Sequence, residues 1–154
     1  MKRRKFVAGV AGAAATLALP GVVRAQVPVA PASTLDPLIW VVTRGELIRR
    51  GRVTLEMPQL ADNGNSVAMR VLVDSPMTAT QYVRAIHLFS DRNPQRNMAV
   101  FYLGPRAGRA EIVSRVRLAG SQRVTALAEM SDGTFWSGFS DVIVTLSACI
   151  DSLD

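Results

Sequence analysis

The chain of 154 residues has one cysteine, Cys149, and one histidine, His87. A single thiol excludes an internal disulfide framework. A single thiol and a single imidazole exclude a blue-copper centre, which needs two histidines and a cysteine. No cluster has the spacing of a zinc site. Lysine occurs only at Lys2 and Lys5, and every later basic residue is arginine. The loop Gly104-Pro105-Arg106-Ala107-Gly108-Arg109 thus lacks both the lysine and the spacing of a phosphate loop. His87 reads as a mid-strand histidine, Glu129 and Asp132 as strand-edge and turn residues, and Phe135 and Trp136 as core or interface aromatics. This inventory predicts a chain without catalytic activity of its own, without cofactor and without metal.

The first residues set the compartment. Lys2, Arg3, Arg4 and Lys5 precede an apolar run from Val7 to Leu19, followed by Pro20-Gly21 and then Val23-Arg24-Ala25. That order is a charged region, an apolar region and a small-residue cleavage site. The apolar run is shorter than the roughly 20 residues a spanning helix needs. Residues 1–25 are therefore expected to be a signal peptide cleaved after Ala25, and the Arg3-Arg4 pair suits the twin-arginine type. Localisation in the periplasm follows, with no membrane span in the mature chain. Five of the 18 basic residues lie in this segment and no acidic ones do, which leaves 13 basic against 12 acidic. That near-neutral balance gives no footprint for a nucleic-acid partner.

Residues 26–51 divide into a Pro/Ala/Val-rich arm and a short helix between Leu35 and Arg50. Leu38, Ile39, Val42, Leu47 and Ile48 fall on one side of that helix, and Gly45 and Gly51 are its breakers. From residue 52 the period becomes two. Strands are expected at Val53–Met57, Val67–Val73, Tyr82–Phe89, Met98–Leu103, Ala110–Leu118, Gln122–Met130 and Asp141–Leu146. Asp62-Asn63-Gly64-Asn65 and Asp132-Gly133 are turn signals. About seven strands at this spacing predict an all-β, immunoglobulin-like sandwich, filling residues 52–154 with a mobile C-terminal tail.

The last strand runs into Ser147 and Ala148, then Cys149, then Ile150 to Asp154. So short a tail is expected to present the thiol rather than pack it. In an oxidising compartment a lone thiol points to an intermolecular partner or a reactive group. Cys149 is the candidate site, with Ser147, Ala148 and Ile150 as its flexible tail.

These blocks resemble a known family. Asp62 to Asn65 leads to a strand and then Asp74-Ser75-Pro76-Met77-Thr78. Tyr82-Val83 and Ile86 to Phe89 follow, then Asn93-Pro94, Gly108 to Glu111 and Arg115 to Ala119. The longest block is Ala128 to Trp136, and the pattern closes with Val144-Thr145-Leu146 and Cys149. Across most of the mature chain the order resembles SoxY, the substrate-carrier subunit of the periplasmic thiosulfate-oxidation system.

The resemblance implies a mechanism. Thiosulfate is joined oxidatively to Cys149 by a periplasmic c-type cytochrome, a hydrolase releases sulfate, and other partners oxidise the remaining sulfane sulfur. It also implies a heterodimer with a SoxZ-like subunit. The departure is at the tail. The family usually places glycines on both sides of the cysteine, whereas here Ser147-Ala148 precede it and Ile150-Asp151-Ser152-Leu153-Asp154 follow. The added acids disfavour a thiolate. Two other expectations stand beside the carrier. One is a related accessory protein for another periplasmic system, such as a quinoprotein dehydrogenase. The other is an interaction module whose Cys149 forms an intermolecular disulfide.

Overall fold

The computed structural model describes residues 36–147. The expected signal peptide 1–25, most of the arm, and Ala148, Cys149 and Ile150 lie outside the described residues. The elements are α1 (Asp36–Thr43), β1 (Ile48–Arg50), β2 (Val53–Glu56), β3 (Leu60–Asn63), β4 (Val67–Val73), β5 (Val83–Ser90), β6 (Asn97–Tyr102), β7 (Ala110–Val116), β8 (Gln122–Met130) and β9 (Phe135–Leu146). A single 3-10 turn, Pro105–Ala107, precedes β7.

The strands form two sheets, and the fold is an all-β, immunoglobulin-like sandwich. The larger sheet has the order β1-β9-β8-β5-β6, with β3 also on β9, and the smaller has the order β2-β4-β7. Alternation places one set of side chains between them. Val67, Met69, Val71 and Val73 of β4 face Ile86, Leu88, Val124, Ala126, Ala128, Met130, Val142 and Val144 in one buried cluster. Burying each Val- or Leu-sized side chain contributes about 1.5–3 kcal/mol, and this cluster holds the sheets together.

A second cluster lies on the outer face of the larger sheet. Phe89, Leu127 and Phe135 are buried there by Leu38, Ile39 and Val42 of α1 and by Ile48. The helix carries Pro37 in its first turn, where its missing N–H costs nothing. It ends where Arg44 (φ 55°) and Gly45 (φ 83°) turn left-handed, the usual way to stop a helix.

Several details depart from the periodicity. The helix is shorter than the pattern suggests, so Leu47 is exposed and Ile48 opens β1. Two short strands, β1 and β3, bring the described strands to nine. The first half of the Asp62–Asn65 turn signal is strand. The turn proper is at Gly64-Asn65, where the Asn65 N–H donates to Asn63 Oδ1 at 2.7 Å. A bulge between Val83 and Ala85 moves Val83 to the inner face, opposite to the side its spacing from His87 assigns. The last strand starts at Phe135 rather than Asp141. The Asp132-Gly133 hairpin turn stands as expected, with Met130 donating its N–H to Thr134 O at 2.9 Å.

Candidate functional site

The last described strand before Cys149 in the sequence is β9. Its outer edge is shared by two short parallel strands. β1 pairs with its first part (Ile48 with Phe135, Arg50 with Ser137) and β3 with its last (Leu60 with Ile143, Asn63 with Leu146). Between them the chain crosses to the smaller sheet as β2 and returns. One twelve-residue strand is thereby clamped from β8 on one side and from two successive strands on the other.

The clamp continues to the end of the strand. Ile143 N–H donates to Gln59 O and Gly64 N–H to Leu146 O, each at 2.8 Å. Thr145 Oγ1 donates to Asp62 O at 2.6 Å. Ser121 Oγ accepts from Val144 N at 2.9 Å and donates to Val144 O at 3.3 Å. Ser147 follows as an exposed residue outside the sheet. Cys149 is three residues beyond Leu146.

The surface at the end of β9 is apolar, and the arginines lie further back along the strand. Leu60 and Ile143, register partners, are 57% and 61% exposed, and Leu146 is 68% exposed. On the same face of β9, Phe139 lies between the guanidinium groups of Arg50 at 5.3 Å and Arg123 at 4.0 Å. Arg123 also makes a two-pronged contact with Asp141, both bonds at 2.8 Å. That contact holds the Asp141 carboxyl below the usual carboxylate range. Trp136 carries Arg52 at 4.7 Å and Arg49 at 5.8 Å, and its Nε1 donates to Thr134 Oγ1. Phe135 is buried under α1. Both aromatics thus serve packing, as their sequence context suggests.

His87 sits on the outer face of the larger sheet, stacked on Phe89 with centroids 6.2 Å apart and planes 5° apart. Both ring nitrogens are buried with no hydrogen-bond partner among the described residues. Burial pushes its pKa below the ordinary 6.5, while Glu129 pulls it back more weakly. Glu129 itself pairs with Arg84 at 3.0 Å, and Asp132 caps its own turn through Thr134. Among the described residues no three His, Cys, Asp or Glu side chains gather into a metal-binding group. No described helix is long and apolar enough to cross a membrane.

One polar network escaped the sequence pattern. Ser90 Oγ donates to Gln122 Oε1, which also accepts from Arg92 N at 2.9 Å. Gln122 Nε2 and the Ala119 N–H both donate to Asn93 Oδ1 at 2.9 Å, and Asn93 Nδ2 donates to Arg117 O at 2.8 Å. These bonds join the β5–β6 and β7–β8 connections. The Asn93-Pro94 pair was the visible trace of it.

Fold and strand end together define a class: an immunoglobulin-like sandwich whose last strand is clamped along its length and leads, three residues on, to the single thiol. The comparisons with known proteins are consistent with that class. The family described as "Sulfur oxidation protein SoxY" matches residues 41–149. Among solved structures, the chain is similar to the sulfur carrier protein SoxY from Chlorobium limicola f thiosulfatophilum. That match has a TM-score of 0.61 and 23% identity, and covers 73% of this chain and 96% of that one. A superoxide reductase (neelaredoxin) from Ignicoccus hospitalis matches with a TM-score of 0.55 at 16% identity, over 61% of this chain and 80% of that one. A putative superoxide reductase from Thermotoga maritima matches with a TM-score of 0.52 at 18% identity, over 66% and 89%. At these identities the structural likenesses speak for the fold alone. No curated protein matches the chain. The family match covers most of the chain and ends on Cys149. The chain belongs to the SoxY family of sulfur-oxidation proteins.

Proposed function

We propose that this protein is a periplasmic sulfur carrier that holds thiosulfate-derived intermediates on Cys149 and has no catalytic activity of its own. The observation that carries the reading is that the family match runs through the clamped strand and ends on Cys149. The signal-like residues 1–25, cleaved after Ala25, would deliver it to the periplasm. The Cys149 thiolate and thiosulfate join through a new S–S bond, and two electrons pass to a periplasmic c-type cytochrome. Water then cleaves the terminal S–S bond in a hydrolase, releasing sulfate and leaving a persulfide on Cys149. A SoxZ-like subunit completes the carrier as a heterodimer.

The thiolate is the competent nucleophile, and an ordinary cysteine with pKa about 8.5 is only partly ionised at neutral pH.

Intact mass of the exported protein, purified without reductant from cells oxidising thiosulfate, tests the reading. Sulfur or thiosulfonate adducts on the peptide carrying Cys149, removed by reductant and missing in Cys149→Ser, are the expected result. An unmodified thiol, or only a Cys149–Cys149 disulfide, would sink the carrier and favour the interaction-module reading.

A further inference from the structure

We propose that the free edge of β6, with the cleft beside it, is a docking site for an extended strand of another polypeptide with an apolar centre and acidic ends. This stands apart from the chemistry of Cys149. Among the described residues, β6 is the outer strand of the larger sheet and pairs with β5 alone. Its sequence, Asn97-Met98-Ala99-Val100-Phe101-Tyr102, contains no charge and no proline. Exposed edges in soluble proteins are normally guarded by charge, proline, bulges or brevity. The other outer strands obey that rule. β1 has three residues, two of them arginine, and β3 has four, including Asp62. β2 carries Glu56, and β7 carries Glu111 and Arg115. Among the described outer strands, β6 alone carries neither charge nor proline, and beyond the irregularity at Met98 its stretch Ala99–Tyr102 keeps regular register with β5.

The backbone direction follows from one bond. Leu103 N–H donates inward to Arg84 O at 2.9 Å. Alternation then turns the N–H and C=O of Val100 and Tyr102 away from β5, toward an incoming strand. Below that edge the two sheets part into a cleft of about 470 Å³. Met98, Ala99, Phe101 and Val116 give it apolar walls, and Arg115 and Arg117 stand at its rim. Alternate side chains of an added strand would enter this cleft, as in other strand-addition complexes.

Charge decides the occupant. The cleft lining contains two arginines and no carboxylate. Arg115 is steadied by donating to Ser66 Oγ at 2.6 Å and Ser66 O at 3.0 Å, and Arg117 is exposed. A second copy pairing antiparallel across this edge would bring two arginine-rimmed clefts, neither lined by a carboxylate, side by side. Carboxylates on a different polypeptide would meet the same rim favourably, since guanidinium groups bind carboxylates in a planar fork.

The test uses the full chain and a peptide of alternating valine and threonine closed at each end by two aspartates. Binding is read by fluorescence anisotropy at low salt. The aspartate peptide is expected to bind about tenfold or more tighter than the same peptide closed by lysines. Val100→Pro removes one outward N–H, a position an edge strand tolerates, and should abolish binding with the thermal midpoint retained. Arg115→Glu with Arg117→Glu should reverse the preference between peptides. Equal binding of both peptides, no binding, binding unaffected by Val100→Pro, or a self-dimer that Val100→Pro dissociates would each overturn the proposal.

Discussion

Gly138 faces the main chain of Val53 with no room for a side chain. A Cβ built there would collide with the Val53 carbonyl oxygen and lie 3.0 Å from its carbonyl carbon. This is the point where β2, crossing between β1 and β3, touches the middle of the long last strand. The close approach lets one strand receive two short partners on its outer edge without a gap in the core beneath.

Gly138→Ala should therefore be costly. The φ of Gly138 is not in the left-handed region, so the penalty is steric, and Val53 is held in register with Val73. Overpacking of this kind costs typically about 1–3 kcal/mol. Urea unfolding should show the loss, and a midpoint unchanged from the parent would contradict the contact.

Gln122→Ala should destabilise through unpaired groups rather than lost volume. Gln122 and Ser90 are both buried, and removing the amide leaves Ser90 Oγ and Arg92 N without that partner. An orphaned buried polar group costs about 1–3 kcal/mol. Thermal unfolding checks the size, and faster amide exchange at Arg92 and Asn93 would locate it.

Stability should fall with acid in a way that depends on His87. Its folded pKa lies below the ordinary 6.5 because burial penalises the charged ring. The unfolded chain therefore binds the proton first. The stabilising contribution is complete above the unfolded pKa and is lost as pH falls through the folded one. Denaturant midpoints followed between about pH 5 and 8 should drop on the acid side, and His87→Leu should flatten the drop. Parallel curves for the two proteins would refute the assignment.

Ser121→Ala should loosen the end of β9 without unfolding the domain. The hydroxyl bonds both the N–H and the C=O of Val144, and a partly exposed bond of this kind contributes about 1 kcal/mol. Amide exchange at Val144 should accelerate while that at Val124, in the core, stays slow. Equal acceleration at both sites would mean global destabilisation instead.

Much of this architecture was legible residue by residue. Val67 to Val73 alternates strictly, and its inward set is the buried set. Gln122–Met130 was readable to its ends, and the Asp132-Gly133 turn to the residue. What escaped was short or interrupted. β1 offers only Ile48-Arg49-Arg50, too brief for a period, and β3 hides its strand character in a turn signature. The start of β9 was not legible, and it carries Gly138, whose place in the strand depends on the Val53 main chain above it.

The candidate site divides the same way. Cys149 stood out by counting, because a lone thiol near one end needs no coordinates to notice, and it lies outside the described residues. The Ser90–Asn93–Gln122 network left only Asn93-Pro94 as its trace, and the Arg50–Phe139–Arg123 stack and the edge position of β6 left none, since each depends on pairings between segments far apart in the chain.

By itself, then, the sequence determined the all-β class, most strand positions and the identity of the single thiol, because alternation and turn chemistry are local. Only the tertiary structure decided which strands lie at the edges, which strand is clamped from both sides, and where arginines meet aromatic rings. Those outcomes depend on pairings between distant segments, and each pairing is selected by the burial and hydrogen bonding of the whole sheet rather than by any one stretch.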